Sequence, residues 1–273
     1  MGDALASLVR PALAETGHVA GVPGSIPGVV GATPAASGAG VTRFVAGVLV
    51  LAACLGTTWY AWVTARGEPH DTLVWRYVAL STAVGGAFAA LLLVETVSPA
   101  VGTSVVALRL LAQLFFAIFL ALSLRELYYA QPATSAEGDR ISLPTARRIE
   151  TAFMLLALVQ FPIVVWVGPT AVAKVILALA AGAFTVYGVS FGQAIRARRL
   201  TRGTVLDATV TYVIAVLLCV GAVSVTEGAA VVPIPRPAVG GAVNVLLVMI
   251  GTFLISLLIR LKRSADAAGG GGR

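Results

Sequence analysis

Charged residues are scarce in this chain. Only 11% of its 273 residues are charged, whereas 58% are hydrophobic, and the mean hydropathy is +0.94. A soluble domain of this length needs a charged surface, and so few charges cannot cover one. The composition therefore predicts an integral membrane protein.

Cysteine and histidine are also rare. Cys54 and Cys219 both lie in apolar segments, which excludes a disulfide framework and a zinc site. His18 and His70 are far apart and outside those segments, so no metal site is predicted. The chain has no Walker loop, no HExxH and no CxxC, and no facing pair of acids, so the sequence predicts no enzyme and no cofactor.

Seven apolar segments are present, each close to the roughly 20 residues that cross a bilayer as a helix. None shows the alternation of a barrel strand. The fold class is therefore predicted as an all-α integral membrane protein, a seven-transmembrane-helix bundle. Short loops after segments two, four and five predict that those helix pairs pack as antiparallel neighbours. The segments are 41–65, 75–97, 104–128, 149–167, 170–194, 205–226 and 239–261.

The two ends of the chain differ from these segments. Residues 1–40 are rich in Gly, Ala, Pro and Ser and are interpreted as a flexible extracellular tail. Residues 41–263 form the predicted transmembrane domain, and residues 264–273 a disordered cytoplasmic tail.

Basic residues cluster on one side of the predicted membrane, which fixes an orientation. The net charge of +7 does not indicate nucleic-acid binding, because the cations gather at segment ends rather than on one face. Three cations are counted on the other side: Arg10, Arg43 and Arg236. The positive-inside rule places the N-terminus outside and the C-terminus in the cytoplasm, in a multi-pass protein of the cell membrane. The cytoplasmic cations are Arg66, Arg76, Arg125, Arg140, Arg147, Arg148, Arg196, Arg198, Arg199, Arg202, Arg260, Lys262, Arg263 and Arg273.

The third segment carries Arg109 and Gln113 on one helical face. An arginine inside a membrane span needs partners, so this helix is expected to be central. Glu95 and Glu227 are the acids expected to neutralise Arg109 in a polar cluster near the outer face. Asn244 completes this predicted cluster, and Gln113 and Asn244 are interpreted as interhelical hydrogen-bonding groups.

The remaining intramembrane charges have plainer interpretations. Arg109 is interpreted as a structural ion pair in preference to an ion relay. Glu95 and Lys174 are interpreted as ordinary headgroup-zone charges, with Lys174 snorkelling. Glu150 is interpreted as a carboxylate at the start of its helix, where the helix dipole favours it.

The topology and two local motifs resemble the microbial rhodopsins. The run that starts at Arg109 is similar to the family's third-helix motif, with Ala112 in place of the usual proton-accepting acid. The segment from Thr226 to Pro233 resembles the Ser-Glu-Gly segment that joins the family's sixth and seventh helices. The resemblance makes Glu227 the counterpart of an extracellular proton-release glutamate.

The seventh segment departs from the family at the chromophore. Rhodopsins hold retinal on a lysine near the middle of that helix, but here the only lysine is Lys262, at its cytoplasmic end. Lys174 lies on a different helix, near the outer edge. Covalent retinal is therefore not expected, and the resemblance implies an opsin-related protein that has lost its photochemistry.

Two functions are consistent with these features. The first is a non-photoactive sensory, scaffolding or stress-related membrane protein that acts through conformation or partner contacts. The alternative is a transporter of a small solute, an ion or protons that uses the predicted polar cluster around Arg109. It predicts a water-filled cavity that reaches Arg109, Gln113 and Asn244. An anionic lipid or a cytoplasmic protein is a candidate partner, and a homo-oligomer stays open. The basic residues for such a partner are Arg196, Arg198, Arg199 and Arg202.

Overall fold

A computed structural model describes residues 38–67, 72–98, 102–130, 143–168, 170–197, 205–229 and 235–270. This part of the chain is helical and contains no strand. Residues 1–37, most of the predicted N-terminal tail, and Arg140, Arg198, Arg199, Arg202 and Arg273 lie outside it. The helices are α1 (Gly38–Gly67), α2 (Thr72–Val97), α3 (Thr103–Ala130), α4 (Leu143–Val167), α5 (Ala171–Ala197), α6 (Val205–Gly228) and α7 (Arg236–Gly270).

Six of these helices are long and apolar enough to cross a membrane: α1, α2, α3, α5, α6 and α7. The predicted all-helical membrane architecture is confirmed to that extent. The helix ends lie within a few residues of the predicted ends, except at two places. α4 begins at Leu143, six residues before the predicted start, and α7 continues to Gly270. Residues 264–270, assigned to a tail from the sequence, are therefore helical, in keeping with the strong helix propensity of their alanines.

The third helix is the most buried of the six membrane-length helices, in keeping with its predicted central position. α3 packs against α2, α4, α5 and α6, while α1, α2, α3, α5, α6 and α7 follow one another around a closed ring. α4 lies outside this ring and packs mainly against α3. The predicted pairing of α4 with α5 is therefore wrong, whereas the pairs α2–α3 and α5–α6 are confirmed.

A glycine on α5 allows that helix to pack closely against both α3 and α6. A Cβ built at Gly188 would lie 2.5 Å from Leu217 of α6 and 2.9 Å from the Cα of Ala121 on α3. Since only a glycine leaves room for such an approach, α5 packs directly into the angle between α3 and α6.

Contacts between helix ends show that helices consecutive in the chain run in opposite directions. Glu95 at the end of α2 meets Arg43 and Arg109, which lie near the starts of α1 and α3. We call this side, where α1, α3, α5 and α7 begin, the first end of the bundle, and the opposite side the second end.

α4 runs the length of the bundle although it lies outside the ring. Glu150 near its start ion-pairs with Arg125, near the second end of α3. At its other end, a Cβ built at Gly168 would lie 3.9 Å from the Cβ of Thr103, where α3 begins. Gly168 has a φ of 86°, a conformation that glycine adopts without strain, and it follows the last helical residue.

Candidate functional site

Arg109 is the most buried charge at the first end of the bundle. It lies two turns into α3, whose neighbours surround it, and only 5% of the residue is exposed. A guanidinium cannot lose its charge by deprotonation, so burial at this position requires acids from other helices.

Two carboxylates from different helices meet this guanidinium. Nε of Arg109 lies 2.6 Å from Oε2 of Glu95 on α2, an ion pair by distance although its N–H is not aligned with the oxygen. Nη1 lies 2.9 Å from Oε1 and 3.2 Å from Oε2 of Glu227 on α6 and donates to both. Arg109 therefore joins α2, α3 and α6.

A fourth helix reaches the same group of charges through Glu95. Nη2 of Arg43 on α1 lies 3.6 Å from Oε1 of Glu95. Glu95 therefore pairs with two arginines, and these contacts agree with the expectation that it helps to neutralise Arg109. About a quarter of its side chain is exposed, as is a similar fraction of Arg43, so the group opens toward the first end through these two residues.

On its inner side, this group of charges is closed by hydrogen bonds of two uncharged side chains, those of Gln113 and Ser224. With its nitrogen toward Glu227, the amide of Gln113 donates to Oε2 at 3.1 Å and its oxygen accepts from Oγ of Ser224 at 2.8 Å. We adopt this orientation because the opposite one sets the amide oxygen against a carboxylate oxygen. Gln113 thus joins α3 to α6, as predicted for an interhelical hydrogen bond.

These six residues form what we call the Arg109 cluster: Arg43, Glu95, Arg109, Gln113, Ser224 and Glu227. Its two arginines and two glutamates balance in charge. Ser224 was not singled out from the sequence, although its position three residues before Glu227 places both on one face of α6. The cluster can therefore hold four helices together without leaving a net charge in the span.

Asn244 does not belong to this cluster. Its side-chain nitrogen donates to the carbonyl oxygen of Ala39 at 3.1 Å and so joins α7 to the start of α1. The prediction that Asn244 makes an interhelical hydrogen bond is confirmed, but its partner is backbone and it lies apart from the contacts of Arg109.

A small cavity adjoins the inner side of the Arg109 cluster. Its volume is about 10 Å³, close to the minimum that holds one water molecule. Its polar lining comes from Gln113, Ser224, Glu227 and Lys174, and neither Arg109 nor Asn244 lines it. This space can hold a single water, not a solute.

A second buried cluster lies near the second end of the bundle and was missed from the sequence. Nη1 of Arg125 on α3 pairs with Oε2 of Glu150 on α4, and Nη2 pairs with the neighbouring Glu126. The hydroxyl of Tyr187 on α5 donates to Oε1 of Glu150 at 2.7 Å. We call Arg125, Glu126, Glu150 and Tyr187 the Arg125 cluster.

The interpretation of Glu150 as a helix-start carboxylate is wrong. α4 begins at Leu143, so Glu150 lies two turns inside the helix, too far from its start for the dipole to act on it. Its burial, with 6% of the residue exposed, is instead compensated by Arg125 and Tyr187. The basic stretch just before Glu150 is typical of a loop, and for this reason the predicted start of the helix lies too late in the sequence.

Aromatic rings surround the Arg125 cluster. The ring of Phe191 lies 4.9 Å from that of Tyr187 and 5.2 Å from that of Tyr128, in edge-to-face arrangements. These contacts join α3 to α5 and hold the Tyr187 hydroxyl in position.

The centre of the bundle is packed with apolar side chains. Leu247, Ile250 and Leu254 are among the inward-facing residues of α7, and Phe88 of α2 and Phe116 of α3 are buried with them. Lys262 is exposed at the second end, and Lys174 is half-buried at the first end.

Metal-binding groups are not found either. In the part of the chain that the structure describes, no three His, Cys, Asp or Glu residues are grouped so that they could hold a metal ion. Comparisons of the chain with protein-family models, with characterised proteins and with solved structures find no match. The arrangement of its own residues is therefore the basis for a function.

Proposed function

We propose that this chain is a seven-helix protein of the cell membrane that carries no covalent retinal and serves a sensory or scaffolding role through conformation and partner contacts. Its N-terminus lies outside and its C-terminus in the cytoplasm. The observation that carries the proposal is the buried, charge-balanced environment of Arg109, between Glu95 and Glu227. A buried guanidinium whose charge is balanced by carboxylates from two other helices ties those helices together.

The orientation is supported by the course of α4. Because α4 extends from Arg125 at the second end to Thr103 at the first end, it makes a seventh traverse of the bundle. An odd number of traverses puts the termini on opposite sides. The exposed cations Arg66, Arg260 and Lys262 lie near the second end, which the positive-inside rule assigns to the cytoplasm.

The kinship with rhodopsins belongs to the same proposal. Its support is the central third helix with Arg109 and the Glu227 that meets it from the end of α6. The packed, lysine-free middle of α7 argues that such an opsin-related protein works without a chromophore.

A transporter is the second candidate, and the small polar cavity beside Glu227 is the observation that favours it. The cavity has room for about one water and is not lined by Arg109 or Asn244. In the described residues α4 also continues through Pro162 without a break, whereas transporter sites are typically built on discontinuous helices. The scaffold is therefore the better supported function.

Two measurements test the proposal. Purified protein incubated with all-trans retinal is expected to show no visible absorption band that borohydride fixes covalently. Proteoliposomes that contain a pH-sensitive dye are expected to dissipate an imposed pH gradient no faster than empty vesicles. A fixed band would overturn the chromophore-free proposal, and a proton flux abolished by Glu227→Gln would favour the transporter.

The orientation has its own test. In a Cys54→Ala/Cys219→Ala background, Gly102→Cys, at an exposed position between α2 and α3 at the first end, is expected to react with an impermeant maleimide added to intact cells. Ser264→Cys at the second end is expected to react only after the membrane is opened. The reverse pattern, or labelling of both from one side, would contradict the orientation.

A further inference from the structure

An open apolar groove of about 350 Å³ lies between α5 and α6. Aliphatic and small residues line it, among them Val175, Leu179, Gly182 and Ala183 of α5, Val225 of α6, and Ala229, which directly follows α6. Leu179 and Val225 are exposed, so the groove faces outward rather than into the bundle.

The absence of a side chain at Gly182 gives the groove part of its depth. A Cβ built at Gly182 would meet only Val225, at 3.8 Å, which is an ordinary contact. The space beside Gly182 is therefore open and is not filled by a neighbouring helix. A larger residue can be placed there without displacing the backbone.

The groove begins at the first end of the bundle and extends inward. Along α5 it reaches from Val175 to Ala183, a distance of about 12 Å at the helical rise. In a membrane-spanning bundle this direction leads from the headgroup region into the hydrocarbon. A hydrocarbon chain therefore fits the groove in both polarity and direction.

Lys174 directly precedes Val175, the residue of α5 in this groove that is nearest the first end. It lines the small cavity that shares Ala178 and Gly228 with the groove. Glu227, the acid in that cavity, already pairs with Arg109. Among the described ion pairs of the first end, Arg43 and Arg109 balance Glu95 and Glu227, so Lys174 adds one positive charge that these carboxylates do not neutralise.

We propose that this groove and Lys174 form a binding site for one anionic phospholipid. An acyl chain occupies the groove, and the headgroup phosphate pairs with the Lys174 ammonium. Charge complementarity favours an anionic headgroup, because the headgroup cation of a zwitterionic lipid would lie close to the Lys174 ammonium and repel it. The site is distinct from the basic residues Arg196 to Arg202, which follow the other end of α5, and it does not depend on the sensory or scaffolding role.

The test is native mass spectrometry of the full chain released from nanodiscs that contain equal amounts of phosphatidylglycerol and phosphatidylcholine. The wild-type protein is expected to retain one phosphatidylglycerol with about fivefold preference, the factor for one basic residue near an anionic headgroup. Equal retention of the two lipids would overturn the proposal.

Two variants separate the headgroup from the chain. Lys174→Gln is expected to abolish the preference between headgroups while a lipid is still retained, and Gly182→Leu is expected to reduce retention of both lipids by filling the groove. Lys262→Gln, an exposed lysine at the second end, and Gly240→Leu, whose Cβ meets nothing within 4 Å, are the matched controls. An unchanged preference in Lys174→Gln, or unchanged retention in Gly182→Leu, would refute the site.

Soluble glycerol 3-phosphate distinguishes a lipid site from a simple phosphate site. At a tenfold molar excess over lipid it is expected to leave the retained phosphatidylglycerol in place, because it has no chain to occupy the groove. Displacement of the lipid would show that the headgroup alone is recognised and would overturn the proposal.

Discussion

A single nitrogen of Arg109 donates to both carboxylate oxygens of Glu227, at 2.9 and 3.2 Å. The two residues are 118 positions apart in sequence, so this contact joins the start of α3 to the end of α6. Since Nε of the same guanidinium lies 2.6 Å from Glu95, one side chain holds three helices at the first end.

The Arg109 cluster is expected to be important for stability. Glu227→Gln removes one charged acceptor and is expected to lower the free energy of unfolding by about 1.5–3 kcal/mol. Arg109→Leu leaves Glu227 without a counter-charge and Glu95 with Arg43 as its only cationic partner, and it is expected to cost about 3–5 kcal/mol. Thermal unfolding in detergent micelles would measure both. Asp266→Asn, at an exposed position of α7, is the control and is expected to leave the melting temperature unchanged.

Asn244 provides a contrast within the same end of the bundle. Its one hydrogen bond to the Ala39 carbonyl is neutral, and such bonds in membrane proteins average about 0.6 kcal/mol. Asn244→Leu is therefore expected to lower the melting temperature far less than Arg109→Leu does under the same conditions. Equal losses would mean that Asn244 has a structural role beyond this bond.

The Arg125 cluster is expected to hold α4 against the bundle. α4 packs mainly on α3, and Glu150 accepts from both Arg125 and Tyr187. Glu150→Gln is expected to increase amide hydrogen exchange in the α4 peptide selectively, while exchange in α1, α2 and α7 stays unchanged. Exchange that rises uniformly over all seven helices would show that the cluster stabilises the whole bundle instead.

Tyr187 tests the same contact from α5. Tyr187→Phe removes one hydroxyl that donates to a charged acceptor and preserves the aromatic contacts with Phe191. Its cost is expected to be about 1.5–3 kcal/mol, no more than that of Glu150→Gln. Phe191→Leu, which removes a ring but no hydrogen bond, is the comparison. If the Tyr187→Phe protein is as stable as wild type, the hydrogen bond from the Tyr187 hydroxyl to Glu150 does not contribute to stability.

The sequence predicts the parts of this fold that depend on local composition. Long apolar runs place the helices, and the cost of an unpaired arginine predicts that Arg109 has acidic partners from other helices. The Arg125 cluster could not be predicted in the same way. Glu150 follows two arginines and a proline, a pattern typical of a loop, and its partner Tyr187 becomes identifiable only once α5 is known to lie beside α3. The position of α4 outside the ring could not be predicted either. It depends on the close approach of α5 to α3 and α6 at Gly188, which involves three segments at once.

That close approach gives the sharpest test of the packing. A Cβ at Gly188 would lie 2.5 Å from Leu217 and 2.9 Å from the backbone of Ala121, and backbone cannot move aside as a flexible side chain can. Gly188→Ala is therefore expected to destabilise the bundle by about 1–3 kcal/mol through overpacking. Gly182→Ala, on the same helix, meets only Val225 at 3.8 Å and is expected to be neutral or stabilising by up to about 1 kcal/mol, the gain in helix propensity. Thermal unfolding of the two variants side by side decides the matter, because equal melting temperatures would mean that α5 does not pack against α3 at Gly188.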